Sequence, residues 1–160
     1  HGSFGTNGRM TEMQAVIGRI QLKRVESWHR IRSKNANTIL DCCEQFSFLF
    51  RVPRPADYIE HAWYKSYVFV RTEGLADVWT RDRIIDEINS RGVPCFQGSC
   101  SEVYLEKSFD KTGFRPKERL PVAKELGETS LMFLVHPTLT AEEIELTCSV
   151  IGEVAKLAGC

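Results

Sequence analysis

A chain of 160 residues, 42% hydrophobic and 26% charged, has the size and balance of one soluble globular unit with a real core. Its 21 basic and 21 acidic residues cancel, which argues against nucleic acid or an anionic membrane as partner. No apolar run nears the ~20 residues of a bilayer span, and the six cysteines form no CxxC pair and no metal-ligand spacing with histidine. A reduced, cytoplasmic setting without a zinc site or disulfide framework is therefore expected, although a chain opening on His1 leaves targeting unread.

The chain opens on a glycine-flanked polar loop, Gly5 to Gly8, which runs into an amphipathic helix. Thr11 with Gln14 makes a capping-box pattern. Apolar residues then recur at helical spacing through Met13, Val16, Ile17 and Ile20 to Cys43, with no proline before Pro53. One long helix is predicted over residues 11–44, bent or straight, with Gly18 marking the close approach of another backbone. A helix so much longer than average more often braces a neighbouring domain or subunit than serves one small core.

Val52-Pro53-Arg54-Pro55 breaks the chain into an extended linker. Residues 63–71 alternate and are rich in aromatic and β-branched side chains, predicting a strand. Thr80 caps a short helix carrying Ile84, Ile85 and Ile88, which Gly92 and Pro94 end. Residues 93–96 read as a second strand, and Gly98 to Lys117 as a functional loop holding at most a short helix. A helix over 121–127 and an apolar strand over 130–135 follow. Thr140 and Glu143 form another capping box, opening a last helix that buries Ile144, Cys148, Ile151 and Ala155 and stops at Gly159. The pattern is α+β, a small sheet with helices packed against it.

The opening run Gly5-Thr6-Asn7-Gly8-Arg9-Met10-Thr11-Glu12-Met13-Gln14 closely resembles the signature G-x-N-x-R-M-[ST]-[DE]-x-Q of the DegT/StrS family. These are sugar aminotransferases of fold-type I that depend on pyridoxal 5'-phosphate. Ile17-Gly18-Arg19-Ile20-Gln21-Leu22, the strand after His61, Arg91-Gly92-Val93-Pro94 and the stretch from Leu131 into Glu143-Ile144 fit the family's order. The resemblance implies a C-terminal portion. Residues 1–46 would be a loop and long helix bracing a missing large domain, and residues 56–160 a small domain. That small domain would be a three-stranded antiparallel sheet covered by helices, all within one domain over 1–160.

It further implies a homodimer in which Asn7 reaches across to the cofactor phosphate, with Arg9 binding substrate or bracing its loop. The full enzyme would transfer an amino group from glutamate to a nucleotide-linked keto sugar. Two departures unsettle specificity. Gly8 stands where an aromatic residue is common, and Gln97-Gly98-Ser99-Cys100-Ser101-Glu102-Val103-Tyr104 replaces a His-, Tyr- and Pro-rich stretch. Tyr64 likewise replaces a frequent histidine.

Transamination requires a Schiff-base lysine, and none of the chain's lysines matches the family's position, so no catalytic residue is expected here and the isolated chain should be inactive. Lys65, in an aromatic strand, reads as a snorkelling side chain. Cys42-Cys43 reads as packing more readily than as a redox sensor. A nucleophile loop at Ser99 to Glu102 with His61 or His136 as base lacks enforcing spacing. The alternative to the enzyme is a non-catalytic dimerisation or regulatory module of the same fold.

Overall fold

The structure, a computed structural model, describes Gly5 and residues 8–159, among which it contains five α-helices and a four-stranded antiparallel sheet. Helix α1 (Glu12–Leu22) and helix α2 (Val25–Glu44) replace the single predicted helix. The interruption falls at Lys23–Arg24, where the backbone N–H of each turns back to Gln21. It coincides with the point where packing begins. Helix α1 has no buried residue, whereas α2 is tied down from His29, whose Nε2 lies 2.8 Å from the His61 carbonyl oxygen. Gly18 meets no other atom within reach of a Cβ, so the close approach predicted for it is absent among the described residues.

Strands β1 (Phe50–Arg51), β2 (Ser66–Val70), β3 (Cys95–Phe96) and β4 (Ser130–Phe133) lie in the order β1-β2-β4-β3. The sheet therefore has one strand more than the three expected. The extra one is β1, which pairs Phe50 with Val70 and Arg51 with Phe69. It is too short for alternation to show, wedged between the end of α2 and Pro53. The predicted strand at 63–71 contracts to β2 because Trp63 takes a left-handed φ of 46° that ends the extended run.

One face of the sheet carries Phe50, Val70, Val68, Leu131 and Phe133, all buried. Helix α2, helix α3 (Arg81–Ser90) and helix α5 (Ala141–Ala158) complete that core with Ile39, Leu40, Ile84, Ile88, Ile151 and Val154. Burying each such side chain fully is worth ~1.5–3 kcal/mol. Thr80 caps α3 by accepting from Arg83 N at 3.1 Å, and Gly92 past its end takes φ 82°, the left-handed turn expected of a helix stop.

The other sheet face is partly covered, by Gly98 against the Tyr67 ring and by helix α4 (Pro121–Thr129), which packs on β2 and runs two residues beyond Gly127. Arg81 fixes that end by donating through Nη1 to the carbonyls of Gly127 (3.0 Å) and Ser130 (2.9 Å).

Candidate functional site

The amino-terminal joint forms as its sequence dictates. Thr11 Oγ1 accepts from Gln14 N at 3.2 Å, and Gln14 Oε1 accepts from Thr11 N at 2.9 Å. Two otherwise orphaned donors are thereby satisfied and the first turn is fixed. Gly8, Arg9, Met10 and Gln14 line an open depression of about 360 Å³ beside it. The positive end of the helix dipole and the Arg9 guanidinium favour an anion there, while Glu12 in the first turn opposes one. Asn7, the residue expected to reach phosphate, lies outside the described residues.

The Gly98 to Lys117 loop is held by its own side chains. It contains two short 3-10 turns, Val103–Leu105 and Lys107–Phe109. Glu102 receives Arg119 as a bidentate pair, with Nε to Oε1 at 2.8 Å and Nη2 to Oε2. Tyr104 Oη donates to the same carboxylate at 2.6 Å and accepts from Leu120 N at 2.9 Å. The Arg119 guanidinium first, and the Tyr104 hydroxyl second, hold the Glu102 carboxyl down to about 2. Burial first, and its bond to Glu102 second, push the Tyr104 hydroxyl above its ordinary value. Arg115 closes the far side, donating to the carbonyls of Tyr104, Leu105 and Glu106 and pairing with Asp110 at 2.6 Å. By sequence, Glu102 and Tyr104 stand out only within the stretch 97–104, Glu102 also in the nucleophile loop, and Arg115 and Arg119 not at all; no spacing joins them into a clamp. Arg119 lies 17 positions from its partner, a separation with no helical or strand period to announce it.

The root of this loop rests on β2. Gly98 has φ 96°, and a Cβ there would lie 2.6 Å from the Tyr67 ring, so glycine is required twice over. Tyr67 Oη sits 3.1 Å from Ser99 Oγ, and Ser130 Oγ donates to the Gln97 carbonyl.

Tyr67 also lines a groove with Lys65, Trp63, His61 and Arg54, about 250 Å³ in volume. A second depression of about 500 Å³ shares Arg54, His61 and Trp63 and extends to His29 and Asn37 on α2. Its wall is built around the strained Trp63. Trp63 N donates to His61 Nδ1 at 3.0 Å, and Arg32 Nη1 donates to the Trp63 and Tyr64 carbonyls at 3.3 and 3.1 Å. Arg54 pins the linker to α2 through Asp41, Glu44 and Asn37.

The structure brings Tyr67 and the loop root together with the Lys65 groove. The depression at Arg9 is lined only by residues of the amino-terminal joint, so the described residues do not join it to the loop. The nucleophile-loop reading fails on geometry. Glu102 is a committed carboxylate, Ser99 engages Tyr67, and Cys100 Sγ points to Glu106 at 3.7 Å. His61 Nδ1 is bound to Trp63 N, and His136 Nδ1 faces Thr138 Oγ1 at 2.7 Å. Lys65 is half-buried with Nζ 5.4 Å from the Tyr64 ring centroid, as a snorkelling lysine would be. Among the described residues no helix is long and apolar enough to cross a membrane.

Comparison with known proteins gives this arrangement a lineage. Residues 1–152 match the DegT/DnrJ/EryC1/StrS aminotransferase family. The chain is 27% identical over 157 residues to the dTDP-3-amino-3,4,6-trideoxy-alpha-D-glucose transaminase of Streptomyces venezuelae, covering 98% of this chain and 38% of that protein. Among solved structures, the aminotransferase from Psychrobacter cryohalolentis is 58% identical with a TM-score of 0.89, covering 98% of this chain and 42% of that one. DesV of S. venezuelae, in complex with a ketimine intermediate, is 24% identical with a TM-score of 0.79, covering 98% and 39%, a likeness of fold. The chain thus spans about two-fifths of the length of these relatives. It belongs to the DegT/DnrJ/EryC1/StrS aminotransferase family.

Proposed function

We propose that this chain is the C-terminal part of a cytoplasmic, homodimeric, pyridoxal-phosphate-dependent aminotransferase. The whole enzyme carries an amino group from glutamate to a nucleotide-linked keto sugar. Alone, the chain lacks transaminase activity. The observation that carries this reading is α1, whose apolar stripe stays open to solvent, with Met13 75%, Ile17 52% and Ile20 49% exposed. A capped helix displaying that much apolar surface calls for a covering partner. In this reading residues 1–46 brace a large domain or the second subunit, and residues 56–160 are the small domain.

The residues present fit one end of the cofactor. The joint at Gly8 to Gln14 offers a guanidinium and a positive helix end to a phosphate. Among the described residues, the two lysines that line a depression, Lys65 and Lys23, line open ones. When bound, pyridoxal phosphate supplies the electron sink that stabilises a carbanion at the amino-bearing carbon. This chain's own part is to grip and to shape. Asn7 donates its amide to phosphate without adding charge, and Arg9 holds an anionic group or steadies the loop. The braced loop over Gly98 to Lys117 walls the substrate cleft.

Two measurements test this. Treated with pyridoxal phosphate and borohydride, the chain should show no stoichiometric labelling of one lysine by mass spectrometry. Such labelling with transaminase turnover would overturn the reading. In the longer protein, Asn7→Ala should weaken cofactor retention by on the order of tenfold, the loss of one hydrogen bond to a charged group. A natural reading frame beginning at this segment would instead support a non-catalytic dimerisation or regulatory module.

A further inference from the structure

Helices α2 and α5 pack side by side, and each brings a cysteine to the seam. Cys42 Sγ donates to the Cys148 carbonyl oxygen at 3.3 Å. Cys148 Sγ in turn donates to the Thr38 carbonyl oxygen at 3.7 Å, one turn before Cys42 on α2. The two sulphurs therefore occupy the same level of the interface, reached from opposite helices. Both residues are half-buried, whereas Cys43 beside them is fully buried and Cys95 nearly so. The adjacent pair Cys42-Cys43, the obvious redox suspect by sequence, is thus split. Cys43 faces the core, where burial drives its thiol well above the ordinary value, and Cys42 faces Cys148.

We propose that Cys42 and Cys148 form a reversible, peroxide-responsive disulfide that staples α2 to α5. Cys42 is the attacking member. When it ionises, the Cys148 thiol can turn from Thr38 and donate to it, and this side-chain hydrogen bond lowers the Cys42 pKa against the opposing effect of burial. The Cys42 thiolate attacks one oxygen of hydrogen peroxide and the O–O bond breaks. Cys42 becomes a sulfenic acid, and the departing hydroxide is protonated to water. The Cys148 sulphur then attacks the Cys42 sulphur and the S–O bond breaks. The leaving hydroxide takes the Cys148 proton as a second water. Two thiols and one peroxide thus give one disulfide and two waters, and an external dithiol reverses the step. In a reducing compartment such a bond is transient and sensing in character. Cys100, exposed and hydrogen-bonded only to a carboxylate, has no thiol partner among the described residues and serves as the internal comparison.

The test exposes the protein at its natural length to a modest excess of hydrogen peroxide, blocks free thiols, and maps disulfides by tryptic mass spectrometry without reduction. Peptide 35–51 should appear joined to peptide 125–156, with fragmentation assigning the bond to Cys42 and not Cys43. The linked pair should vanish on dithiothreitol treatment, persist in Cys43→Ser, and be lost in both Cys42→Ser and Cys148→Ser. Oxidation should raise Tm in the parent protein and leave it unchanged in Cys148→Ser, which keeps the fold because a small polar residue replaces a half-buried thiol. Absence of the 35–51 to 125–156 link, a bond through Cys43, or equal linkage to Cys100 or Cys160 would overturn the proposal. This readout does not depend on cofactor binding or transamination, so it can fail while the proposed function stands.

Discussion

Helix α1 and helix α5 each begin at a threonine whose hydroxyl caps a backbone N–H while the residue three positions on closes the box. Each carries an apolar stripe at helical spacing. Helix α5 buries Ile144, Val150, Ile151, Val154, Ala155 and Ala158, and α1 buries nothing. Capping and periodicity fix that a helix forms and which face is apolar. What the face is for depends on whether something lies opposite. For α5 that is α2 and α3 within the chain; for α1 no described residue of this chain fills the role.

The comparison can be broken most forcefully in the core. Ile151→Ala, at a position with no solvent exposure, should cost about 2–5 kcal/mol in a denaturant titration of the chain. A loss below 1 kcal/mol would mean that α5 is not the packed helix described.

Removing the caps sharpens the contrast. Thr140→Ala should lower global stability by about 1 kcal/mol. Thr11→Ala should leave the global transition nearly unmoved and only increase fraying of α1, because α1 opens independently of the core. Circular dichroism with denaturant titration separates the two, and equal global losses would contradict the difference in packing.

The loop over Gly98 to Lys117 supplies the pH test. The Glu102 carboxyl titrates in the folded chain at about 2, held down chiefly by Arg119, below the ordinary carboxylate value. A depressed carboxylate contributes fully above its unfolded pKa and loses its contribution as pH falls through the folded one. Limited pepsin digestion should therefore show the protection of residues 105–118 declining progressively as pH falls from about 4.5 towards about 2. Arg119→Met should remove that protection at higher pH. Unchanged cleavage in that variant would show the clamp to be idle.

What was legible in the chain and what was not divides along the same physical line. The caps at Thr11, Thr80 and Thr140 act over three residues, and their donors and acceptors are fixed by helix geometry alone. Each could be read without knowing the fold. The buried face of β2 was readable from alternation at Ser66, Val68 and Val70, but Trp63 was not. Its left-handed φ answers to Arg32, 31 positions away, bonding its carbonyl. The break at Lys23–Arg24 carries no glycine or proline and falls where packing starts, a tertiary cause. Strand β1 is likewise created by the partner it pairs with. At the candidate site, Arg9 and the loop boundaries followed from the resemblance and from composition. The Glu102–Arg119–Tyr104 clamp depends on a chain reversal that no local pattern encodes.

The smallest effect expected in the isolated chain lies on α1 itself, where Ile17→Ala should change stability by less than about 0.5 kcal/mol. The same helix carries the central claim, that its apolar face is covered by another part of the functional protein. Amide hydrogen exchange over residues 12–22, in this chain alone and in the longer protein, tests that claim most directly. The account predicts rapid exchange in α1 beside a well-protected α5 in the chain alone, and α1 protection rising towards that of α5 in the longer protein. Exchange in α1 that stays equally fast in both would contradict it.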